Sequence, residues 1–199
     1  MDFNTLKEEY KNCKKCPLLQ ESKMQVVFGS GNKNAEILLI GEAPGATEAK
    51  NGIPFCGMSG KILDELLNDV GIEREDVFIT NTILCRPPQN RNPKKEEVEN
   101  CRSRLDKLIS IMDPKVIVTI GNFATERILG KTGITKLRGY VYPVMINGVE
   151  RRIVPVVHPA SYLYSGRNPD KFEKMKADFK TIASIANIEK SQKSLDQFS

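Results

Sequence analysis

Imidazole is nearly absent from this chain: its 199 residues include one histidine, His158, so any imidazole chemistry has to use that side chain. No apolar run approaches the ~20 residues of a membrane span. The first residues also lack a signal-peptide pattern, so the expected location is intracellular, in cytoplasm or nucleoid. Gly41 and Gly45 stand four apart, with neither a G-x-G-x-x-G nor a Walker lysine after them, which excludes the standard dinucleotide and P-loop fingerprints. Internal repeats are missing too. At this length the chain can bury one α/β core and not two. A single monomeric domain over residues 1–187 is expected, followed by a polar tail, 188–199, with little reason to fold.

The net charge is +5, and Lys and Arg concentrate at Lys14-Lys15, from Arg86 to Lys95, at Arg102 and Arg104, and at Arg151-Arg152. Converging in space they suit a polyanionic partner, and dispersed they are solvated faces; charge alone leaves both readings open. Five cysteines in a reducing compartment point to metal, reactivity or core packing more than to disulfides.

The organising stretch runs from Glu36 to Gly57. Four uninterrupted aliphatics, Ile37-Leu38-Leu39-Ile40, read as a buried parallel strand. It delivers the loop Gly41-Glu42-Ala43-Pro44-Gly45 to the carboxyl edge of a sheet, where α/β folds place ligands. Ahead of it, residues 2–12 read as a helix with Thr5 and Glu8 at capping-box spacing. Behind it, Ser59 is expected to cap a helix whose Ile62, Leu63, Leu66, Leu67 and Val70 share a face, with Gly71 as the stop. Val77-Phe78-Ile79 then leads into Thr80-Asn81-Thr82. Asn92 and Pro93 should open a helix carrying Val98, Cys101, Leu105 and Leu108 inward. Val116 to Ile120 forms a further strand, Asn122 caps a short helix, and Asn147-Gly148 marks a hairpin. Its second arm ends at His158-Pro159, and Asn168-Pro169 opens a last helix. Strands alternating with helices predict an α/β fold whose mostly parallel central sheet is covered on both faces.

Some of these residues can carry chemistry. Cys13 and Cys16 form a close pair, whereas Cys85 and Cys101 are separated by fifteen residues. Structural zinc more often uses two close pairs, so the wide second half favours an iron-sulfur cluster; unrelated core cysteines are the alternative. Cys56 has no partner at chelating distance and reads as a small packing residue. Phe55 is either core or a stacking platform for a base. Asn81 offers an amide donor and acceptor side by side, as a nucleobase edge requires, or caps a turn. Glu42 and Glu48 are the acids nearest the loop.

Taken together, Gly41-Glu42-Ala43-Pro44-Gly45, Gly52-x-Pro54-Phe55-x-Gly57, Thr80-Asn81, Cys85-Arg86-Pro87-Pro88-x-Asn90-Arg91 and His158-Pro159, with the four cysteines, resemble the family 4 uracil-DNA glycosylases. The resemblance implies a three-layer α/β/α sandwich and a structural [4Fe-4S] cluster on Cys13, Cys16, Cys85 and Cys101. It also implies excision of uracil from DNA without a catalytic metal. By the same resemblance Phe55 stacks on the flipped base, Asn81 pairs with uracil N3-H and O4, and backbone around Gly41 to Ala43 completes the pocket. His158 hydrogen-bonds uracil O2, and Glu42 or Glu48 orients water or base, since the water-activating acid of other branches aligns with Ala43. Arg86 and Arg91 grip phosphates, and Tyr162 with Leu163 wedges into the gap left in the duplex. Cys56 and Met58-Ser59 depart from the family pattern at the pocket floor.

The tail adds Gln192, Leu195 and Phe198 at the spacing of a sliding-clamp-binding motif, so a clamp is an expected partner beside uracil-containing DNA. A rival reading keeps the scaffold as an iron-sulfur nucleic-acid-binding or redox protein without excision activity.

Overall fold

The computed structural model describes residues 1–20 and 25–186. The clamp-type motif at Gln192, Leu195 and Phe198 lies outside the described residues. In chain order the elements are α1 (Phe3–Lys11), α2 (Pro17–Gln20), β1 (Ser30–Gly31), β2 (Ile37–Gly41), α3 (Ala46–Asn51), α4 (Met58–Asp69), β3 (Val77–Asn81), α5 (Lys95–Met112), β4 (Val116–Ile120), α6 (Gly121–Leu129), α7 (Ile134–Leu137), β5 (Tyr142–Ile146), β6 (Val149–Val156), α8 (Ala160–Tyr164) and α9 (Pro169–Ile185).

Among the described residues one sheet forms in the order β1-β3-β2-β4-β6-β5. The central strands β3, β2, β4 and β6 run parallel, and β1 and β5 close the edges antiparallel. Strand periodicity splits the aliphatic runs between two cores. Ile37, Leu39, Val77, Ile79, Val116 and Val118 pack with residues of α4 and α9 on one face. Leu38, Ile40, Phe78, Ile117 and Ile153 pack with residues of α1, α5 and α6 on the other. The result is the expected α/β/α sandwich. Full burial of each such aliphatic side chain contributes about 1.5–3 kcal/mol, which is why these runs are apolar on both faces. No helix of the described residues is long and apolar enough to cross a membrane.

The hairpin forms where Asn147-Gly148 predicts it, with φ of 50° and 79° at the two turn residues. Asn168 caps α9 by accepting from the Asp170 amide. Other helix starts are displaced. Asp2, not Thr5, caps α1, its carboxylate accepting from the Thr5 amide at 2.8 Å. Ser59 lies inside α4, which starts behind Gly57 without a side-chain cap. Asn92-Pro93 stands before α5, whose first turn is closed by the Glu97 carboxylate accepting from the Lys94 amide. Asn122 is helical, and its side chain accepts from the Gly133 and Ile134 amides instead.

Candidate active site

Parallel strands end on the same side of a sheet, and three of those ends build the site. In the register of β2 against β3, Gly41 is opposite Asn81. The loop after β2 is fastened there, because Thr82 donates to the Gly41 carbonyl from its amide at 2.8 Å and its hydroxyl at 3.0 Å, and the Ile83 amide bonds the Glu42 carbonyl. Asn81 is 2 % exposed, yet its Oδ1 has no hydrogen-bond partner. An unpartnered buried acceptor costs roughly 1–3 kcal/mol, the kind of defect kept where a ligand supplies the donor.

Phe55 reaches the same point. Its φ of 50° is left-handed, a strained choice for an aromatic residue. Gly60 makes that geometry possible, because a Cβ there would meet the Phe55 carbonyl oxygen at 1.7 Å. Arg74 braces the loop by donating to the Pro54 carbonyl at 2.7 Å while pairing with Asp64. The Phe55 ring stacks on the imidazole of His158, centroids 5.7 Å apart and planes at 28°.

His158 follows β6. Its Nδ1 accepts from the Ala160 amide at 3.1 Å, so the neutral ring carries its proton on Nε2. Burial pushes its pKa below the usual histidine range, partly opposed by the negative charge of Glu48. The imidazole is therefore a neutral N–H donor at physiological pH.

A cleft of about 500 Å³ joins Glu42, Ala43, Asn90, Arg91, His158 and Tyr164. Glu42 is half-buried, and desolvation raises its pKa. Glu48 is differently placed: its Oε1 accepts from the Gly57 amide at 3.2 Å, tying α3 to the start of α4. Arg91 forks onto Glu97 with contacts of 2.9 and 2.6 Å, whereas Arg86 bonds only the neutral Asn90 amide oxygen among the described side chains. Tyr162 and Leu163 pack against the core, Tyr162 tilted on Phe172 at 5.0 Å. Tyr164, which the sequence does not single out, is 89 % exposed on the cleft rim. Ser161 also lines the cleft, with a buried hydroxyl lacking a partner. Met58 is 53 % exposed, so it contributes little to a pocket floor.

On the face of the sheet bearing α1 and α5, Cys13, Cys16, Cys85 and Cys101 line one small cavity with Leu19 and Ile83. Burial, followed by the charges of Cys101, Cys13 and Cys16, pushes the Cys85 thiol up to about 12. Asn100 donates to Cys16 Sγ at 3.4 Å and to the Lys15 carbonyl at 2.9 Å, anchoring the close pair to α5.

Sequence comparison identifies the family. The model of the Uracil DNA glycosylase superfamily matches residues 28–180. A Type-4 uracil-DNA glycosylase of Sulfurisphaera tokodaii is 43% identical over 187 residues, covering 91% of this chain and 83% of that protein. One of Archaeoglobus fulgidus is 42% identical over 182 residues, covering 89% of each. A Type-5 uracil-DNA glycosylase of Pyrobaculum aerophilum reaches 27% over 180 residues, 75% of this chain and 78% of that protein. Strand ends, loop and thiol cavity thus sit in a sequence of known kinship: the chain belongs to the uracil-DNA glycosylase superfamily, in the Type-4 branch.

Proposed function

We propose that this chain excises uracil from DNA by hydrolysing its N-glycosidic bond, with Asn81, Phe55 and His158 holding the flipped base. The unpartnered, buried Asn81 Oδ1 carries this reading, because it stands beside the Phe55 ring and against the Cβ-less Gly41. Uracil offers an N3-H donor to that oxygen. Cytosine presents an unprotonated N3 at the same edge and would leave the oxygen unpaired, which sites of this kind reject strongly.

When the C1′–N1 bond breaks, its electron pair leaves with uracil and the sugar becomes cationic. The His158 Nε2–H is the donor for the developing charge on uracil O2, an effect that removal of comparable donors puts at about 3 kcal/mol. Water then adds at C1′ and loses a proton. Glu42, half-buried in the cleft with a raised pKa, is the better-supported acceptor for that proton, since the Glu48 carboxylate already bonds the Gly57 amide. Arg86 and the Tyr164 rim face the DNA, with salt-dependent phosphate contacts expected from the former.

The thiol cavity fits a four-cysteine iron-sulfur cluster. Among the described residues no three His, Cys, Asp or Glu side chains are grouped as ligands of one metal ion, whereas four thiols lining one cavity suit a centre with several irons. Bound there, the cluster would cross-link the N-terminal segment to α5, and the excision steps above do not pass through it.

A uracil-containing oligonucleotide incubated with the purified protein and then treated with alkali tests the reading. Cleavage at the uracil position is expected. An intact strand at excess protein would support the rival, a nucleic-acid-binding scaffold without excision.

A further inference from the structure

Arg104 is the largest side chain buried to 0 % exposure, and the chemistry described so far does not use it. Its guanidinium donates to the Thr80 hydroxyl at 3.1 Å, the Asn81 carbonyl at 2.6 Å and the Thr82 carbonyl at 3.2 Å. Among the described residues no carboxylate forms an ion pair with it, and its Nε has no partner. Asp106, on the same helix, is taken by Arg127 at 2.7 Å. Burial lowers the guanidinium's pKa, and the charge of Cys101 partly restores it; it stays a cation at physiological pH.

A buried cation without a counter-carboxylate is costly unless its donors are used. Here they are used on three consecutive residues at the end of β3, the middle one being Asn81. The fork is planar and rigid, so it sets where those groups lie as well as satisfying them. Thr80 is held from a second direction, its hydroxyl donating to the Phe28 carbonyl at 2.8 Å. The Asn81 main chain is therefore clamped while its side-chain amide oxygen, buried against Gly41, is left without a partner.

We propose that Arg104 is a positioning residue for base discrimination: it fixes the Thr80-Asn81-Thr82 strand end so that the Asn81 amide meets uracil and not cytosine. This rests on the uracil-excision reading above. One helix, α5, thereby carries both a thiol of the cysteine cavity, Cys101, and, one turn later, the clamp on the base reader.

The test compares wild type with Arg104→Met, which keeps an unbranched apolar stem and loses every donor, and Arg104→Lys, which keeps charge without the fork. Each is assayed for kcat/KM on uracil and on cytosine oligonucleotides, for iron content, and for hydrogen–deuterium exchange of the 77–84 peptide. Arg104→Met is expected to lose tenfold or more in the uracil-over-cytosine ratio and to exchange faster at that peptide, with iron retained. Arg104→Lys should fall between it and wild type. Should Arg104→Met fail to fold, Arg104→Lys decides, since one ammonium cannot span three acceptors. A wild-type ratio and wild-type exchange in the folded variant overturn the proposal. Absence of excision in the wild type would instead sink the glycosylase reading, and the exchange comparison would then decide the clamp by itself.

Discussion

Gly41 and Asn81 face each other across β2 and β3, and the missing side chain of the first makes room for the amide of the second: a Cβ on Gly41 would stand 2.4 Å from Asn81 Oδ1. The same atom would lie 2.7 Å from the Phe55 ring. Gly41→Ala therefore displaces the Asn81 amide or the Phe55 ring. Overpacking of this kind costs about 1–3 kcal/mol. The expected result is a folded enzyme with a Tm lower by a few degrees and uracil excision reduced more than tenfold. Wild-type single-turnover rates in the variant would show that neither group touches the base.

Replacing the imidazole should be felt in the chemical step. His158→Ala is expected to lower single-turnover excision by about 10²–10³, the range for losing one donor to a developing oxyanion. Because burial holds the ring neutral, the wild-type rate should not climb as pH falls from about 8 to 6 across the usual histidine range. A rate rising with imidazole protonation would overturn the neutral-donor role.

Glu42 separates activity from stability. Its folded-state pKa is raised by desolvation above the usual glutamate range, so folding favours the protonated form. Between the unfolded and folded values the native state holds more protons, and the stability contributed by this group is lost as pH rises through that window. Glu42→Gln should then have a higher Tm than wild type at pH 8, with the gain shrinking toward pH 4, while excision falls. Melting curves across that range decide it; a constant Tm difference would remove the buried-acid reading.

For the cysteine cavity, purified protein is expected to be brown and to contain iron. Cys101→Ser, at a site 7 % exposed, should lose iron and melt at lower temperature. Zinc in place of iron, by elemental analysis, would refute the cluster.

Local signals carried most of the architecture. The apolar run at Ile37 to Ile40, the hairpin at Asn147-Gly148 and the cap at Asn168 each follow from a few adjacent residues. The displaced helix starts have a common cause: a capping residue is chosen by where the chain turns, and Asn92, Asn122 and Ser59 were available but differently placed. At the site, His158 and Asn81 could be singled out by residue type at strand ends. Arg104 could not, because an arginine in a helix usually reads as solvated and only packing shows it buried. The left-handed φ of Phe55 is equally invisible, being imposed by the fit of its carbonyl against Gly60.

The order of the strands along the chain has a consequence for biosynthesis. All four thiols of the cysteine cavity are made by Cys101, within the first part of the chain, whereas the imidazole arrives only after β6 and its turn have been translated. Chains emerge from their N-termini, so the residues proposed to hold the cluster are available while the proposed base pocket still lacks its last wall. On the proposed reading, a partly made chain holds every thiol of the cavity before it can release a base, and excision waits until the sheet is complete.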